Sequence, residues 1–102
     1  MKPEDLERRS IEASNLLKAI GNENRLKILC LLAEDEKSVG ALDETIDLGQ
    51  SALSQHLAVL RKEGLVKTRR EQQTIYYSIN GPEVRAIIET LYQVFSPRTS
   101  TV

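Results

Sequence analysis

The spacing of apolar residues changes at Gly64, and this change constrains the fold more than any other feature of the sequence. Before Gly64, apolar residues recur every three or four positions, which indicates amphipathic helices. After it, residues 65–70 and 74–79 are predicted to form two strands joined by a polar tip, and apolar residues alternate along the second strand. Gly81 and Pro82 then begin a last helix, because proline is favoured in the first helical turn. The sequence therefore predicts a mainly helical chain that carries one β-hairpin.

Four helices are predicted before the hairpin and one after it. Their expected ranges are 4–20, 23–33, about 39–46 with Ser38 as N-cap, 50–63, and 82 to about 95. Residues 34–37 are expected to form a polar loop between the second and third helices. A short turn, in which Gly49 supplies a positive φ angle, separates the third helix from the fourth. The order α-α-α-α-β-β-α is that of a winged helix-turn-helix, a mainly α fold of the α+β class.

The chain of 102 residues is expected to form one winged helix DNA-binding and dimerisation domain over residues 1–96, with a disordered tail over residues 97–102. So small a domain has a thin core, so we expect the apolar first and last helices to pair with a second copy as a homodimer. No apolar run is long enough to cross a bilayer, and one cysteine excludes an internal disulfide. These features predict a cytoplasmic protein without a membrane partner.

Charge is distributed unevenly, although the whole chain carries a net charge of only −1. Between residues 50 and 80, five basic and two acidic side chains give +3, so the remainder of the chain carries −4. Electrostatic attraction to phosphate acts locally, over about 10 Å at moderate salt. The predicted fourth helix and hairpin are therefore the region that favours nucleic acid.

The predicted fourth helix begins with side chains that can read DNA bases. Glutamine can bond adenine through two hydrogen bonds, and serine donates or accepts. The candidate base-reading residues are Gln50, Ser51, Ser54 and Gln55, with His56 as a surface or phosphate-contact residue. Basic side chains are the candidate phosphate contacts, and they are Arg61 and Lys62 at the far end of the helix and Lys67, Arg69 and Arg70 on the hairpin.

Other interpretations of the sequence compete with DNA binding. A solvated amphipathic helix would explain the fourth helix taken alone, but the neighbouring turn and basic hairpin favour double-stranded DNA as the partner. A winged helix that binds proteins is a second alternative. Binding that falls steeply with added salt indicates phosphate contacts, whereas a protein-binding wing would show little salt dependence. An enzyme is disfavoured, because the sequence contains neither a plausible Ser/His/Asp or Cys/His pairing nor a glycine-rich phosphate loop.

Three segments carry a resemblance to a known family. Residues 17–29 (LKAIGNENRLKIL), the predicted fourth helix 50–61 (QSALSQHLAVLR), and the wing residues 64–66 (GLV) with Tyr76 and Tyr77 resemble the ArsR/SmtB repressors. The similarity runs from about residue 10 to residue 95. Residues 28–30 (ILC) and 38–40 (SVG) resemble the BigR/SqrR/HlyU-type branch most, which responds to sulfur species and oxidants. The resemblance implies a repressor that binds a pseudo-palindromic operator as a homodimer through its first and last helices.

Metal-responsive members of this family need ligands that the sequence does not provide. Where such members carry a cysteine pair in the third helix, this chain has Val39, Gly40 and Ala41. Where others place histidines on the last helix, this chain has none, and His56 stands alone. We therefore expect no metal and no cofactor.

Cys30, taken alone, is interpreted as a small apolar residue of the second helix. The resemblance implies a sensing role, because the branch carries a cysteine here and another near the end of its last helix. In those relatives, reactive sulfur species or oxidants link the pair and release DNA. The second position is Ser96 in this chain.

Three explanations of Ser96 stay open. It is an engineered replacement that locks the reduced form, or the chain senses with Cys30 alone through a persulfide or sulfenic acid, or sensing has been lost. The alternative to a repressor is an antirepressor or activator of the HlyU type. The operator, the target genes and the inducer are not encoded in any motif of the sequence.

Overall fold

The computed structural model describes residues 1–96, so the expected tail lies outside the described residues. Within this range the chain forms five helices and three strands. In chain order they are α1 (Pro3–Ile20), α2 (Glu23–Glu34), β1 (Lys37–Ser38), α3 (Val39–Ile46), α4 (Gln50–Lys62), β2 (Val66–Glu71), β3 (Thr74–Ile79) and α5 (Pro82–Phe95). This architecture confirms the predicted winged helix-turn-helix.

Local capping explains where several helices begin and end. The side chain of Asn22 accepts hydrogen bonds from the backbone N–H groups of Asn24 and Arg25, at 3.0 and 3.1 Å, and so starts α2. Ser38 accepts from the N–H of Ala41 at 3.2 Å and starts α3. Gly21 ends α1 with an ordinary negative φ of −75°. Glycine suits this position because a Cβ would lie 2.9 Å from the carbonyl oxygen of Leu17.

A third strand corrects the predicted two-stranded wing. The segment just before α3 was expected to be a polar loop, but Lys37 and Ser38 pair antiparallel with Tyr77 and Tyr76. The sheet order is therefore β1-β3-β2, with β3 in the centre. A strand of two residues is too short to show an alternating pattern in the sequence, so its pairing depends on the distant β3.

The boundaries of β2 also differ from the prediction. Leu65 was assigned to this strand, but its N–H donates to the carbonyl of Leu60 at 2.9 Å and closes the end of α4 instead. At the other end the strand continues to Glu71, which pairs with Thr74. The hairpin tip is consequently a two-residue turn, in which Gln72 has a positive φ of 57°.

The core holds α4 against the rest of the domain. Three leucines of α4 are completely buried or nearly so, and they meet apolar side chains of α2 and α3. These central residues are Leu53, Leu57 and Leu60 of α4, Ile28, Leu29 and Leu32 of α2, and Leu42 of α3. Because one face of α4 is buried in this way, its opposite face is turned to solvent.

Apolar side chains of α1 and α5 remain outside this core. Leu17 in α1 is 59% exposed, and Tyr92 and Phe95 in α5 are 69% and 78% exposed. Large apolar groups clustered at the surface mark interaction sites more often than free surface. Among the described residues, no helix is both long and apolar enough to cross a membrane.

Candidate nucleic-acid interface

The turn between α3 and α4 sets the direction of the fourth helix. Gly49 has a φ of 91°, as expected, and Asp47 also adopts a left-handed conformation with φ 55°. Asp43 holds both ends of the turn: its carboxylate accepts from the N–H of Gly49 at 3.1 Å, and its carbonyl accepts from the N–H of Asp47 at 2.9 Å. The turn is therefore fixed by hydrogen bonds to α3 rather than by glycine alone.

The four candidate base-reading residues lie together on the solvent side of α4. Gln50, Ser51, Ser54 and Gln55 are all exposed, and they occupy the first turn and a half of the helix. The N-cap is Gly49, so no side chain satisfies the first N–H groups of α4. This end of the helix thus combines exposed polar side chains with free N–H donors that suit a phosphate oxygen.

His56 lies on a different side of α4 from these residues. Its ring is half-buried, with Nδ1 at 3.5 Å from Nη1 of Arg25 in α2. Arg25 is itself bonded to the end of α1, donating through Nε to the carbonyl of Ala19 at 2.6 Å and through Nη2 to that of Lys18 at 3.2 Å. The structure therefore places His56 toward the helical scaffold, not beside the candidate base-reading residues.

Arg61 and Lys62 are exposed but distant from the start of α4. With a rise of 1.5 Å per residue, Arg61 lies about 16 Å along the axis from Gln50. Lys62 lines a surface cleft between α1 and the end of α4, together with Lys18 and Glu63. These two cations are not brought together with the candidate base-reading residues.

The wing presents its cations in two different settings. Lys67 and Arg70 are exposed, and among residues 1–96 neither takes part in an ion pair. Arg69 instead donates through Nε to both carboxylate oxygens of Glu36, at 2.9 and 3.0 Å, and through Nη1 to Glu71 at 2.7 Å. Its guanidinium also stacks on the ring of Tyr76, 4.5 Å from the centroid.

The ion pairs of Arg69 have electrostatic consequences. The hydrogen bonds that Arg69 donates lower the pKa of Glu36, outweighing an opposite effect of desolvation. The same hydrogen bonds, which Glu36 first and Glu71 second accept, raise the pKa of Arg69. Glu36 was not among the candidate residues, because it lies 33 positions from Arg69 and only a polar loop was expected around it. No sequence pattern at such a separation indicates the contact.

Cys30 and Ser96 line one apolar groove between α2 and α5. The other residues along it are Leu26, Leu91, Tyr92 and Phe95. Burial, and then the nearby carboxylate of Glu34, raise the pKa of the half-buried Cys30 thiol, so the thiol stays protonated at neutral pH. The hydroxyl of Ser96 donates to the carbonyl of Tyr92. Residues 1–96 contain no group of three or more His, Cys, Asp or Glu side chains that could hold a metal ion.

Comparison with known proteins gives consistent matches. A family model described as bacterial regulatory protein, arsR family, matches residues 22–68. The transcriptional activator HlyU of Vibrio cholerae is 50% identical over 95 residues, covering 93% of this chain and 88% of the relative. The biofilm growth-associated repressor of Xylella fastidiosa is 42% identical, covering 93% of this chain and 83% of the relative.

Solved structures agree with these sequence matches. Reduced HlyU from Vibrio cholerae superposes with a TM-score of 0.87 at 50% identity, over 91% of this chain and 98% of that one. The solution structure of a homodimeric winged helix-turn-helix DNA-binding domain from Mycobacterium bovis superposes with a TM-score of 0.79. Its identity is 30%, with 92% of this chain and 86% of that chain covered.

The setting of Cys30 predicts a slowly reacting thiol at neutral pH. Because thiolate is the nucleophile and the pKa of Cys30 is raised, alkylation by iodoacetamide should reach half its maximal rate above about pH 8.5, the ordinary thiol value. Replacing Glu34→Gln removes a negative charge and should lower this midpoint, whereas Glu23→Gln at the far end of α2 should leave it unchanged. A midpoint below the ordinary value would contradict this account.

Proposed function

The chain belongs to the ArsR family of bacterial regulatory proteins, and from this premise we propose that it binds a double-stranded operator as a homodimer and represses transcription. Its relatives are DNA-binding transcriptional regulators rather than enzymes. The observation that carries the proposal is the exposed polar face of α4, which follows a fixed turn and adjoins the basic wing. A major groove admits a helix of this kind.

In the proposed complex, α4 lies in the major groove with its first turns toward the base edges. Gln50, Ser51, Ser54 and Gln55 are then the base-reading residues, since each is exposed and can donate or accept hydrogen bonds. The exposed cations of the wing contact phosphates, which positions the domain without reading sequence. Arg61 and Lys62, at the other end of α4, are proposed as weaker and more distant phosphate contacts.

The homodimer is proposed to form through α1 and α5. Both helices carry large exposed apolar side chains that a second copy would bury. The similar domain from Mycobacterium bovis is described as homodimeric, which supports the same assembly here. A two-fold dimer presents two copies of α4 and therefore matches a pseudo-palindromic operator.

The direction of regulation has two candidates. Repression is favoured by the similarity to the biofilm growth-associated repressor of Xylella fastidiosa. Activation, for instance by displacing another DNA-bound protein, is favoured by the similarity to the transcriptional activator HlyU of Vibrio cholerae. Both need the same operator contacts, and a reporter gene under the operator separates them: loss of the protein raises expression from a repressed promoter and lowers it from an activated one.

We propose that reactive sulfur species release DNA through Cys30 only when a second thiol stands at position 96. The Cys30 thiolate attacks the terminal sulfur of a hydropolysulfide, RS–SH, the S–S bond breaks and the thiol RSH leaves, so that Cys30 carries a persulfide. A second thiol nearby attacks this persulfide, closes a sulfur cross-link and releases hydrosulfide. The shared groove of Cys30 and Ser96 supports this pairing. Serine lacks the sulfur, so the chain is expected to remain in its DNA-binding form.

Substitutions in α4 and on the wing should affect DNA binding differently. Gln55→Ala should cost about 1–3 kcal/mol at the cognate operator and little on random DNA, because it removes a base contact. Arg70→Ala should weaken binding to both, and should reduce the slope of log affinity against log salt by about 0.9, one phosphate's share. Fluorescence anisotropy at several salt concentrations measures both effects. Equal losses on both DNAs from both variants would contradict this division of roles.

Restoring a cysteine at position 96 should restore a sulfur response. Ser96→Cys protein treated with an organic polysulfide should lose about 5- to 150-fold in operator affinity, the usual range of coupling between two sites, and should regain it after reduction. The unsubstituted chain should bind equally before and after treatment. Adding Cys30→Ser to the Ser96→Cys protein should abolish the response. A treated Ser96→Cys protein that still binds DNA fully would overturn the proposed switch.

A further inference from the structure

The side chain of Arg69 crosses the central strand of the wing. Its own strand, β2, and the short β1 lie on opposite sides of β3. Arg69 pairs with Tyr76 in the register of β2 and β3, and Ser38 of β1 pairs with the same tyrosine from the other side. The guanidinium passes over the Tyr76 ring and reaches Glu36, just before β1. One side chain thus ties the hairpin to the segment between α2 and β1.

The contacts of Arg69 leave little of it for a phosphate. Its Nε and Nη2 groups both donate to Glu36 in a forked arrangement, and Nη1 donates to Glu71. One face of the guanidinium is covered by Tyr76. The cluster of one cation and two carboxylates carries a net charge of −1, which repels a phosphate. Both members of the main pair stay partly exposed, at 48% for Arg69 and 32% for Glu36.

Arg70 differs from Arg69 in each of these respects. Neighbouring residues of a strand point to opposite faces, so Arg70 lies on the other side of the sheet from Arg69. Its strand partner is Ile75. Within the described residues it joins no ion pair, and its side chain is exposed.

We propose that Arg69 is a positioning residue, which anchors the wing to the body through Glu36 and Tyr76, while Arg70 supplies the phosphate contact. This inference rests on the proposed DNA binding. The anchor fixes the angle of the hairpin relative to α4, so that wing and helix meet the same duplex. Glu36, an acidic residue, thereby favours binding to DNA, although an acid near phosphate would ordinarily weaken it.

The first test compares arginine and lysine at the two positions. Lysine keeps the charge but not the two parallel hydrogen bonds of a guanidinium. Arg69→Lys and Arg69→Ala should therefore weaken operator binding alike, about two- to fivefold, with the salt slope unchanged. Arg70→Lys should bind the operator with nearly the affinity of the unsubstituted chain. In Arg70→Ala the slope of log affinity against log salt should be smaller by about 0.9. An Arg69→Lys protein that binds normally, with a reduced slope for Arg69→Ala, would show that Arg69 contacts phosphate and overturn the anchor.

The second test is a double-substitution cycle with Glu36→Gln. Asp35→Asn is the matched control, because it removes the same charge one residue earlier and keeps an oxygen that can accept from the Glu36 N–H. Glu36→Gln should bind the operator about two- to fivefold more weakly than Asp35→Asn. Combining it with Arg69→Ala should add no further loss. Additive losses, or tighter binding by Glu36→Gln than by the control, would contradict the anchor.

A third measurement separates failure of the anchor from failure of DNA binding. Amide hydrogen exchange of the DNA-free protein should be faster in segment 66–79 for Arg69→Ala and Glu36→Gln, and unchanged for Arg70→Ala. If the two anchor variants exchange faster but the unsubstituted chain shows no salt-dependent DNA binding, the proposed function is rejected and the anchor is retained. Unchanged exchange in both anchor variants would reject the anchor alone.

Discussion

Leu53, Leu57 and Leu60 of α4 are buried in the core, and their burial sets the geometry of the candidate nucleic-acid interface. These leucines fix the rotation of α4 about its axis, because a helix with one face in the core must turn the opposite face outward. The serines and glutamines at its start are exposed for that reason and not through any contact of their own. Asp43 complements the leucines by setting where the helix begins, through its bond to Gly49. Core packing and one carboxylate therefore determine which side chains can face DNA.

The distribution of charged side chains determines which part of the surface can attract phosphate. The chain is slightly acidic overall, and its excess positive charge lies in α4 and the wing. Within the wing the cations are not equivalent: Arg69 is engaged by two carboxylates, whereas Lys67 and Arg70 face solvent. A count of basic residues thus overestimates the charge available to phosphate. Burial, and then the carboxylate of Glu34, raise the pKa of the Cys30 thiol and so keep it protonated at neutral pH.

Local signals made most of the fold predictable. The apolar period, the caps Asn22 and Ser38, and Gly49 each act over a few residues, and the helices they define begin and end within one residue of expectation. Features that depend on distant partners were missed. The strand at Lys37 exists only because β3 pairs with it, and Arg69 meets Glu36 across 33 positions. His56 was expected to be a surface or phosphate-contact residue, and its half-buried ring lies against Arg25 of another helix. Cys30 and Ser96 line one groove, and the pairing that the family resemblance implies for these two positions stays a prediction.

Two copies of this chain are proposed to present two α4 helices to one duplex. The most direct measurement is a hydroxyl-radical and guanine-methylation footprint on the DNA upstream of the gene. If a dimer reads successive major grooves, two half-sites related by a pseudo-dyad should be protected. Their centres should lie one helical turn, about 34–36 Å, or a whole number of such turns apart. Major-groove guanines should be protected within each half-site. A single protected segment without symmetry, or protection of the backbone with all guanines still reactive, would contradict the account.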